Sequence, residues 1–293
     1  MASRAVPRLQ VLAAAALFST GGAAIKACSL GAWQVASFRS GIAALALLVL
    51  LPAARRGWSR RTLAVGVVYA ATVILFVAAN KLTTSANTIF LQSTAPLYVL
   101  LLGPRLLGER IRPRDVALMA AIALGMGMFF VGTEAPLATA PDPVLGNVLA
   151  ALSGVTFALT ILGMRWLARS SPGGGSALAA VAAGNLLAFL LALAPALPVG
   201  PSRPGDWVLL LFLGVVQIGV AYAALAAGMS RVPAFEASIL LLVEPVLNPI
   251  WSFAVHGEVP GPWALAGGGL ILAATALKTW WGARRPLPLG PAP

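Results

Sequence analysis

Two stretches of sequence decide the fold of this chain: residues 91–122, LQSTAPLYVLLLGPRLLGERIRPRDVALMAAI, and residues 240–271, LLLVEPVLNPIWSFAVHGEVPGPWALAGGGLI. At an offset of 149 residues the two stretches align without a gap. Apolar sequence matches leucine and alanine by chance, so the evidence rests on four less common coincidences: Pro96 with Pro245, Gly108 with Gly257, Glu109 with Glu258, and Pro113 with Pro262. The chain is therefore interpreted as an internal duplication.

The composition predicts an all-α integral membrane protein. Of the 293 residues, 59 % are hydrophobic and 10 % are charged, whereas a soluble domain carries about 25 % charged residues. One cysteine and one histidine cannot build a disulfide framework or a Cys/His metal site, so neither a metal nor a cofactor is expected. The net charge of +12 comes from short basic runs between apolar stretches, which argues against nucleic acid as a partner.

Ten uncharged or nearly uncharged stretches are long enough to be candidate crossings of the bilayer, since a spanning helix needs roughly 20 apolar residues. These stretches are residues 9–25, 27–54, 62–80, 82–104, 116–133, 143–164, 170–202, 207–230, 237–255 and 259–277. The first is interpreted as a helix rather than a secretory signal, because nine more follow it. Each half has five spans, an odd number, so the halves are predicted to be inverted repeats: residues 1–135 and 143–283, with a cytoplasmic tail at 284–293.

The basic residues predict the orientation of these spans. With a cytoplasmic amino terminus, 16 of the 20 Lys and Arg residues fall on the inside, Lys26, Lys81 and Arg203 fall outside, and Arg39 lies within a span. Both termini are therefore expected in the cytoplasm of a multi-pass plasma membrane protein, which in a bacterium means the inner membrane.

The repeated motifs resemble a known family. Pro96 with Gly108, Glu109 and Arg110, and Pro245 with Gly257 and Glu258, look like those of a drug/metabolite transporter superfamily member with two EamA-type domains, and the resemblance covers nearly the whole chain. It implies a helical basket around a central cavity, with spans five and ten at the periphery, and export of small metabolites, as in the similar bacterial exporters of aromatic amino acids. The second half departs from the first, because Pro233, Glu236 and Glu244 stand where Thr84, Asn87 and Ala95 stand.

Two ionisable residues lie inside predicted spans, where a charge costs roughly 2.5 to 3.5 kcal/mol. Arg39 is a candidate partner for a substrate carboxylate, and Glu244 is a candidate for binding an ammonium group or carrying a coupling proton. Two alternatives stay open for Arg39: an ion pair with Glu244, or extension toward the external face. The same ion pair is the structural alternative for Glu244.

Polar and aromatic residues at helical spacing complete the predicted substrate site. Such a surface can stack on an apolar group and hydrogen-bond a polar one, although hydrogen bonding between helices explains the same residue types. The candidates are Phe76 and Asn80 on span three, Asn87, Thr94 and Tyr98 on span four, Gln217 and Tyr222 on span eight, and Asn248 beside Glu244 on span nine.

Pro96 and Pro245 are predicted to interrupt spans four and nine and to act as hinges, since paired interruptions point to the site of a transporter. Glu236 is predicted to cap span nine, and Glu109 and Glu258 to have structural roles. Gly21, Gly22 and the glycines at 267–269 are expected to allow close helix contact, with a homodimer seam on span ten as an alternative.

The sequence thus predicts a secondary transporter that exports small metabolites, amino acids first, by alternating access, with facilitated diffusion as an alternative. The expected partners are a small-molecule substrate and the lipid bilayer. Drug-like cations and nucleotide sugars remain alternative substrates. An intramembrane enzyme is disfavoured because the only histidine, His256, lies in a predicted loop, and a scaffold is disfavoured because no soluble domain is predicted.

Overall fold

The computed structural model of the protein describes residues 5–107, 113–131, 135–170, 175–229, 232, 237 and 240–283. Apart from an isolated bridge between Leu137 and Ala140, the regular structure of these residues is helical. The α-helices are α1 (Ala5–Ser19), α2 (Gly21–Ala27), α3 (Ala32–Leu50), α4 (Arg60–Leu82), α5 (Ser85–Gln92), α6 (Ala95–Leu107), α7 (Pro113–Val131), α8 (Pro143–Ser170), α9 (Gly175–Ala196), α10 (Pro204–Leu211), α11 (Ala221–Met229), α12 (Val243–His256) and α13 (Pro262–Ala283). A 3₁₀-helix covers Pro52–Arg55, and a π-helix, Phe212–Val220, joins α10 to α11. The all-α prediction is confirmed for this part of the chain.

Seven helical segments of the described residues are long and apolar enough to cross a membrane. They are Ala5–Ala27, Ala32–Leu50, Arg60–Leu82, Ser85–Leu106, Pro143–Leu167, Ala177–Ala196 and Pro204–Gly228. Two shorter apolar helices, Asp115–Val131 and Pro262–Leu277, coincide with predicted spans five and ten. Predicted span nine is represented by α12, and Glu109 and Glu236, with their predicted structural and capping roles, lie outside the described residues.

The helix breaks fall at matching positions of the two repeated stretches. Between α5 and α6 the chain turns at Ser93 and Thr94, and at the same offset in the second stretch it turns at Leu242, just before α12. Pro96 and Pro245 therefore lie in the first turn of a new helix rather than in a helix interior. This position suits proline, because the first-turn amide has no intrahelical acceptor to lose.

Helices from the two halves of the chain pack against each other. α4 lies against α8 and α9, α3 lies against α9, and α1 lies against α11 and α12. The last helix of each half, α7 and α13, also pack together. This interleaving brings residues far apart in sequence to the same polar clusters.

Glycines set the distance between α7 and α13. A Cβ atom at Gly267 would lie 2.5 Å from the carbonyl oxygen of Gly125, and one at Gly268 would lie 2.5 Å from the ring of Phe90. Close contact was predicted for these glycines, and Gly267 and Gly268 make such contacts within the chain.

Substitution of Gly267 by alanine should lower the free energy of unfolding by about 1–3 kcal/mol, the usual cost of overpacking. The matched control is Gly269→Ala in the same helix, because a Cβ there meets no described atom within 4 Å. Thermal unfolding of the detergent-purified variants measures the difference. Equal midpoints for the two variants would contradict the close contact of α7 and α13.

Candidate functional site

The first predicted span is broken near its middle. α1 ends at Ser19 and α2 begins at Gly21, so nearby carbonyl groups are free for partners outside the helix. The amide of Gln217 donates to the carbonyl of Phe18 at 3.2 Å, and the amide of Asn248 donates to the carbonyl of Ser19 at 3.1 Å. Two predicted site residues therefore meet the same helix break, from α12 and from the π-helix.

Small residues let these helices approach the break. A Cβ at Gly21 would lie 2.8 Å from the amide nitrogen of Gln217, and a Cβ at Gly22 would lie 2.9 Å from the hydroxyl of Ser85 on α5. The indole of Trp251 donates to the hydroxyl of Ser19 at 2.9 Å. Segments from both halves of the chain thus converge at the α1–α2 break.

The π-helix brings α3 to the same region. Its Gly214 packs so closely on α3 that an added Cβ would lie 2.9 Å from the carbonyl oxygen of Arg39. Single π-helical stretches are frequent at functional sites, because the wider turn alters which way side chains point. Gln217 belongs to this π-helix, and Tyr222 follows it in α11.

Arg39 is buried, with 4 % of its surface exposed, so it does not extend to the external face. Its Nε and Nη1 atoms have no hydrogen-bond partner among the described residues. The charged guanidinium group of Arg39 interacts electrostatically with the hydroxyl groups of Tyr69 and Tyr222. The Asn185 amide donates to the Tyr69 hydroxyl at 3.3 Å, which fixes one wall of this arginine cluster, defined as Arg39, Tyr69, Asn185 and Tyr222.

Glu244, the second predicted ionisable residue, also interacts electrostatically with Tyr222. It is half-buried in the first turn of α12, where the helix dipole favours a negative charge. No ion pair joins Arg39 and Glu244, both of which the structure describes, so the structural alternative of an ion pair between them is not formed here. The ring of Phe18 meets the ring of Tyr222 edge to face at 5.1 Å, which links the arginine cluster to the α1–α2 break.

Several predicted site residues are instead engaged in contacts between helices or within one helix. Asn87 donates to Asn147 on α8 at 3.2 Å and to Thr83 at 3.3 Å. Thr94 donates to the Leu91 carbonyl at 2.6 Å, and Asn80 donates to the Phe76 carbonyl at 2.9 Å. Tyr98 donates to the sulfur of Met126 at 3.4 Å. These contacts favour the alternative of hydrogen bonding within the bundle for this group.

A buried ion pair closes the end of the bundle at which α4 terminates. Lys26 Nζ lies 2.8 Å from Glu258 Oε1, and the two side chains are 2 % and 3 % exposed. Lys26 also donates to the carbonyls of Thr83 and Thr139, while Glu258 accepts from the Ser85 amide at 3.1 Å. Gly257 ends α12 with φ of 68°, a left-handed conformation that favours glycine, and directs the chain into Glu258. We call this ion pair the latch.

Sequence reasoning missed part of these clusters. Helical spacing places Tyr69 on the same stripe as Phe76 and Asn80, and Asn185 is a polar residue inside a predicted span, but the sequence does not show that either belongs with Arg39. Lys26 was used only to predict the orientation of the spans. Lys26 and Glu258 are both conspicuous charges in so apolar a chain, but they lie 232 residues apart in sequence. A structural role for Glu258 was predicted, and its partner was not.

Comparison with known proteins identifies the family and the fold. The EamA-like transporter family matches residues 8–131 and again residues 144–280. A protein of Archaeoglobus fulgidus named only as an uncharacterized transporter is 29 % identical over 211 residues, which cover 69 % of this chain and 70 % of that protein. One solved crystal structure superposes with a TM-score of 0.63 at 20 % identity, over 97 % of this chain and all of the other, and shows the same fold. The two family matches span most of the sequence, and the chain belongs to the EamA-like transporter family, a family of multi-pass membrane proteins.

Proposed function

We propose that this transporter exports small zwitterionic metabolites, amino acids first, from a site between Arg39 and Glu244. The observation that carries the proposal is a buried arginine without an anionic partner and a carboxylate without a cationic partner among the described residues, both of which interact electrostatically with Tyr222. A charge within the membrane costs roughly 2.5–3.5 kcal/mol and is usually matched by a partner. A bound carboxylate would supply the partner for Arg39, and a bound ammonium group would supply it for Glu244.

The surroundings suit such a ligand. A guanidinium group can bind a carboxylate through two parallel hydrogen bonds, and each of the two bidentate edges of Arg39 has a donor, Nε or Nη1, without a partner among the described residues. Phe18, Tyr69 and Tyr222 supply aromatic surface, which is typical of sites that bind a largely apolar molecule with a few polar contacts. Neutral and aromatic amino acids combine both features.

The proposed mechanism is alternating access in ten spans arranged as two inverted five-helix repeats around a central cavity, with both termini in the cytoplasm of the plasma membrane. Breaks in α1–α2, α5–α6 and before α12 support it, since secondary transporters bind substrate near such interrupted helices. The latch supports alternating access as well, because this ion pair joins the two halves of the chain near the end of α4, which makes the two ends of the bundle different. We propose that this ion pair opens when the site faces that end.

Uptake into proteoliposomes tests the function, with radiolabelled phenylalanine as the first substrate and empty vesicles as the blank. We expect saturable uptake that unlabelled amino acids inhibit. Phenylalaninamide lacks the carboxylate and 3-phenylpropionate lacks the ammonium group, and each should compete at least tenfold more weakly than phenylalanine. Equal competition by all three, or inhibition by organic cations alone, would contradict a zwitterion site.

Glu244→Gln separates substrate binding from proton coupling. If Glu244 carries a coupling proton, the variant should lose the dependence of uptake on an imposed pH gradient. If it only binds the ammonium group, uptake falls while its pH dependence persists. A pH dependence equal to that of the wild type therefore removes the proton-carrier role.

A further inference from the structure

An apolar groove lies between three helices of the bundle and contains no residue of the arginine cluster or the latch. It has a volume of about 330 Å³ and is formed by three helices, with Val65 and Val68 from α4, Leu106 from α6, and Leu159 and Trp166 from α8. Gly163 forms its floor, since an added Cβ there would lie 2.8 Å from Val65. The groove exists because α4 and α8 approach each other closely at Gly163, while the small side chain of Ala64 leaves space at the edge of the groove.

The groove faces lipid. Val148, Leu152 and Leu159 follow one another along α8 at spacings of four and seven residues, so they share a helix face. Val148 and Leu152 are 41 % and 46 % exposed, which for large apolar side chains in a membrane protein indicates contact with acyl chains. The face that leads into the groove is therefore the outer surface of α8.

One end of the groove is basic and aromatic. Arg61 precedes Ala64, Val65 and Val68 by three, four and seven residues, which places it on the same face of α4. Its guanidinium carbon lies 5.1 Å from the centre of the Trp166 ring. Tryptophan concentrates at the boundary between hydrocarbon and headgroups, so this end of the groove lies at headgroup depth.

The other two helices bring arginines to the same end. Arg105 adjoins the lining residue Leu106, and Arg165 adjoins Trp166. These residues lie where α4 begins, about 34 Å from its other end, since α4 has 23 residues. No acidic side chain lines the groove in the described part of the chain.

We propose that this groove is a binding site for an anionic phospholipid, with one acyl chain in the groove and the phosphodiester at Arg61. Stacking on Trp166 orients the guanidinium and leaves its edge free to donate to phosphate oxygens. Basic pockets between transmembrane helices are a recurrent way of binding acidic headgroups, with about 1 kcal/mol for each arginine near the surface. A zwitterionic lipid could fill the groove equally well but would not gain this energy.

Native mass spectrometry of the purified full-length protein tests the site, with dioleoyl phosphatidylglycerol and dioleoyl phosphatidylcholine as probes that differ only in the headgroup. We expect the tightest-bound lipid to prefer phosphatidylglycerol about fivefold or more in the wild type. Arg61→Gln should lower this preference about fivefold. The matched control, Arg56→Gln in the exposed loop before α4, should leave it unchanged.

Ala64→Leu tests the acyl-chain half of the site, because it fills the rim of the groove without changing charge. It should weaken binding of both lipids at the tightest site and leave their ratio intact. Three results would overturn the proposal: equal wild-type affinity for the two headgroups, equal effects of Arg61→Gln and Arg56→Gln, or unchanged lipid binding by Ala64→Leu.

Discussion

Replacement of Arg39 by glutamine should lower uptake by about 30-fold or more while raising thermal stability. Loss of one partner of a buried charged contact typically costs 2 kcal/mol or more of binding free energy, which corresponds to that factor. Without substrate, however, the arginine is a buried charge with two unpartnered nitrogens. Its removal therefore takes away an unfavourable contribution to the free energy of folding. We expect a rise in melting temperature of roughly 2–4 °C, the shift that about 1 kcal/mol produces in a chain of this order of size.

Opposite signs for transport and stability distinguish a substrate site from a structural ion pair. Arg39→Lys keeps the charge but cannot form bidentate hydrogen bonds to a carboxylate, and we expect an intermediate loss of uptake. Arg56→Gln, an exposed arginine outside the helices, is the control and should change neither quantity. A lower melting temperature for Arg39→Gln together with normal uptake would contradict the proposed role.

Replacement of Lys26 by methionine should destabilise the protein by about 3–5 kcal/mol, because it leaves the buried carboxylate of Glu258 without its cation. Glu258→Met should cost less, since Lys26 keeps the carbonyls of Thr83 and Thr139 as acceptors. The double variant removes both charges and should recover most of the lost stability. Thermal unfolding of the three variants in detergent measures these differences.

The same variants report on whether the latch opens during transport. Cys28 is the only cysteine of the chain, is 1 % exposed and lies two residues from Lys26, so it reports on this end of the bundle without an engineered label. Burial raises the pKa of its thiol, so the reactive thiolate is scarce while this end is closed. A membrane-impermeant maleimide should label Cys28 faster in Lys26→Met/Glu258→Met than in the wild type. An unchanged rate would show that the latch does not control access.

The sequence predicts the helices and their interruptions well, because both depend on local chemistry. Uninterrupted apolar stretches can only satisfy their backbone in lipid as helices, and a proline is favoured in the first turn of a helix over its interior. The aligned Pro96 and Pro245 thus locate two breaks to within a few residues. Proline could not reveal the third break, at Thr20, where the partners of the freed carbonyls come from α12 and the π-helix.

The polar clusters could be predicted only in part, because their partners come from distant segments. Arg39 and Glu244 are conspicuous as charges in apolar sequence, yet whether they pair depends on the separation of α3 and α12. Asn87 and Asn248 look alike in sequence. One is tied to Asn147 on a neighbouring helix, and the other meets a helix break. Periodicity gives the face of a helix but not what lies opposite.

The π-helix constrains how this chain can vary in length. A π turn holds more residues than an α turn, so deletion of one residue from 212–220 would let this stretch close into a regular α-helix. Because the deletion removes the residue that widens the turn, the segment after it would keep nearly the same facing and Tyr222 would stay near Arg39. A deletion from a regular α-helix would instead rotate everything after it by about 100°. Loops tolerate insertions and deletions, whereas this segment sits in the middle of a helical span. Related sequences that use Tyr222 in the same way should therefore either keep the π-helix or lose one residue together with it.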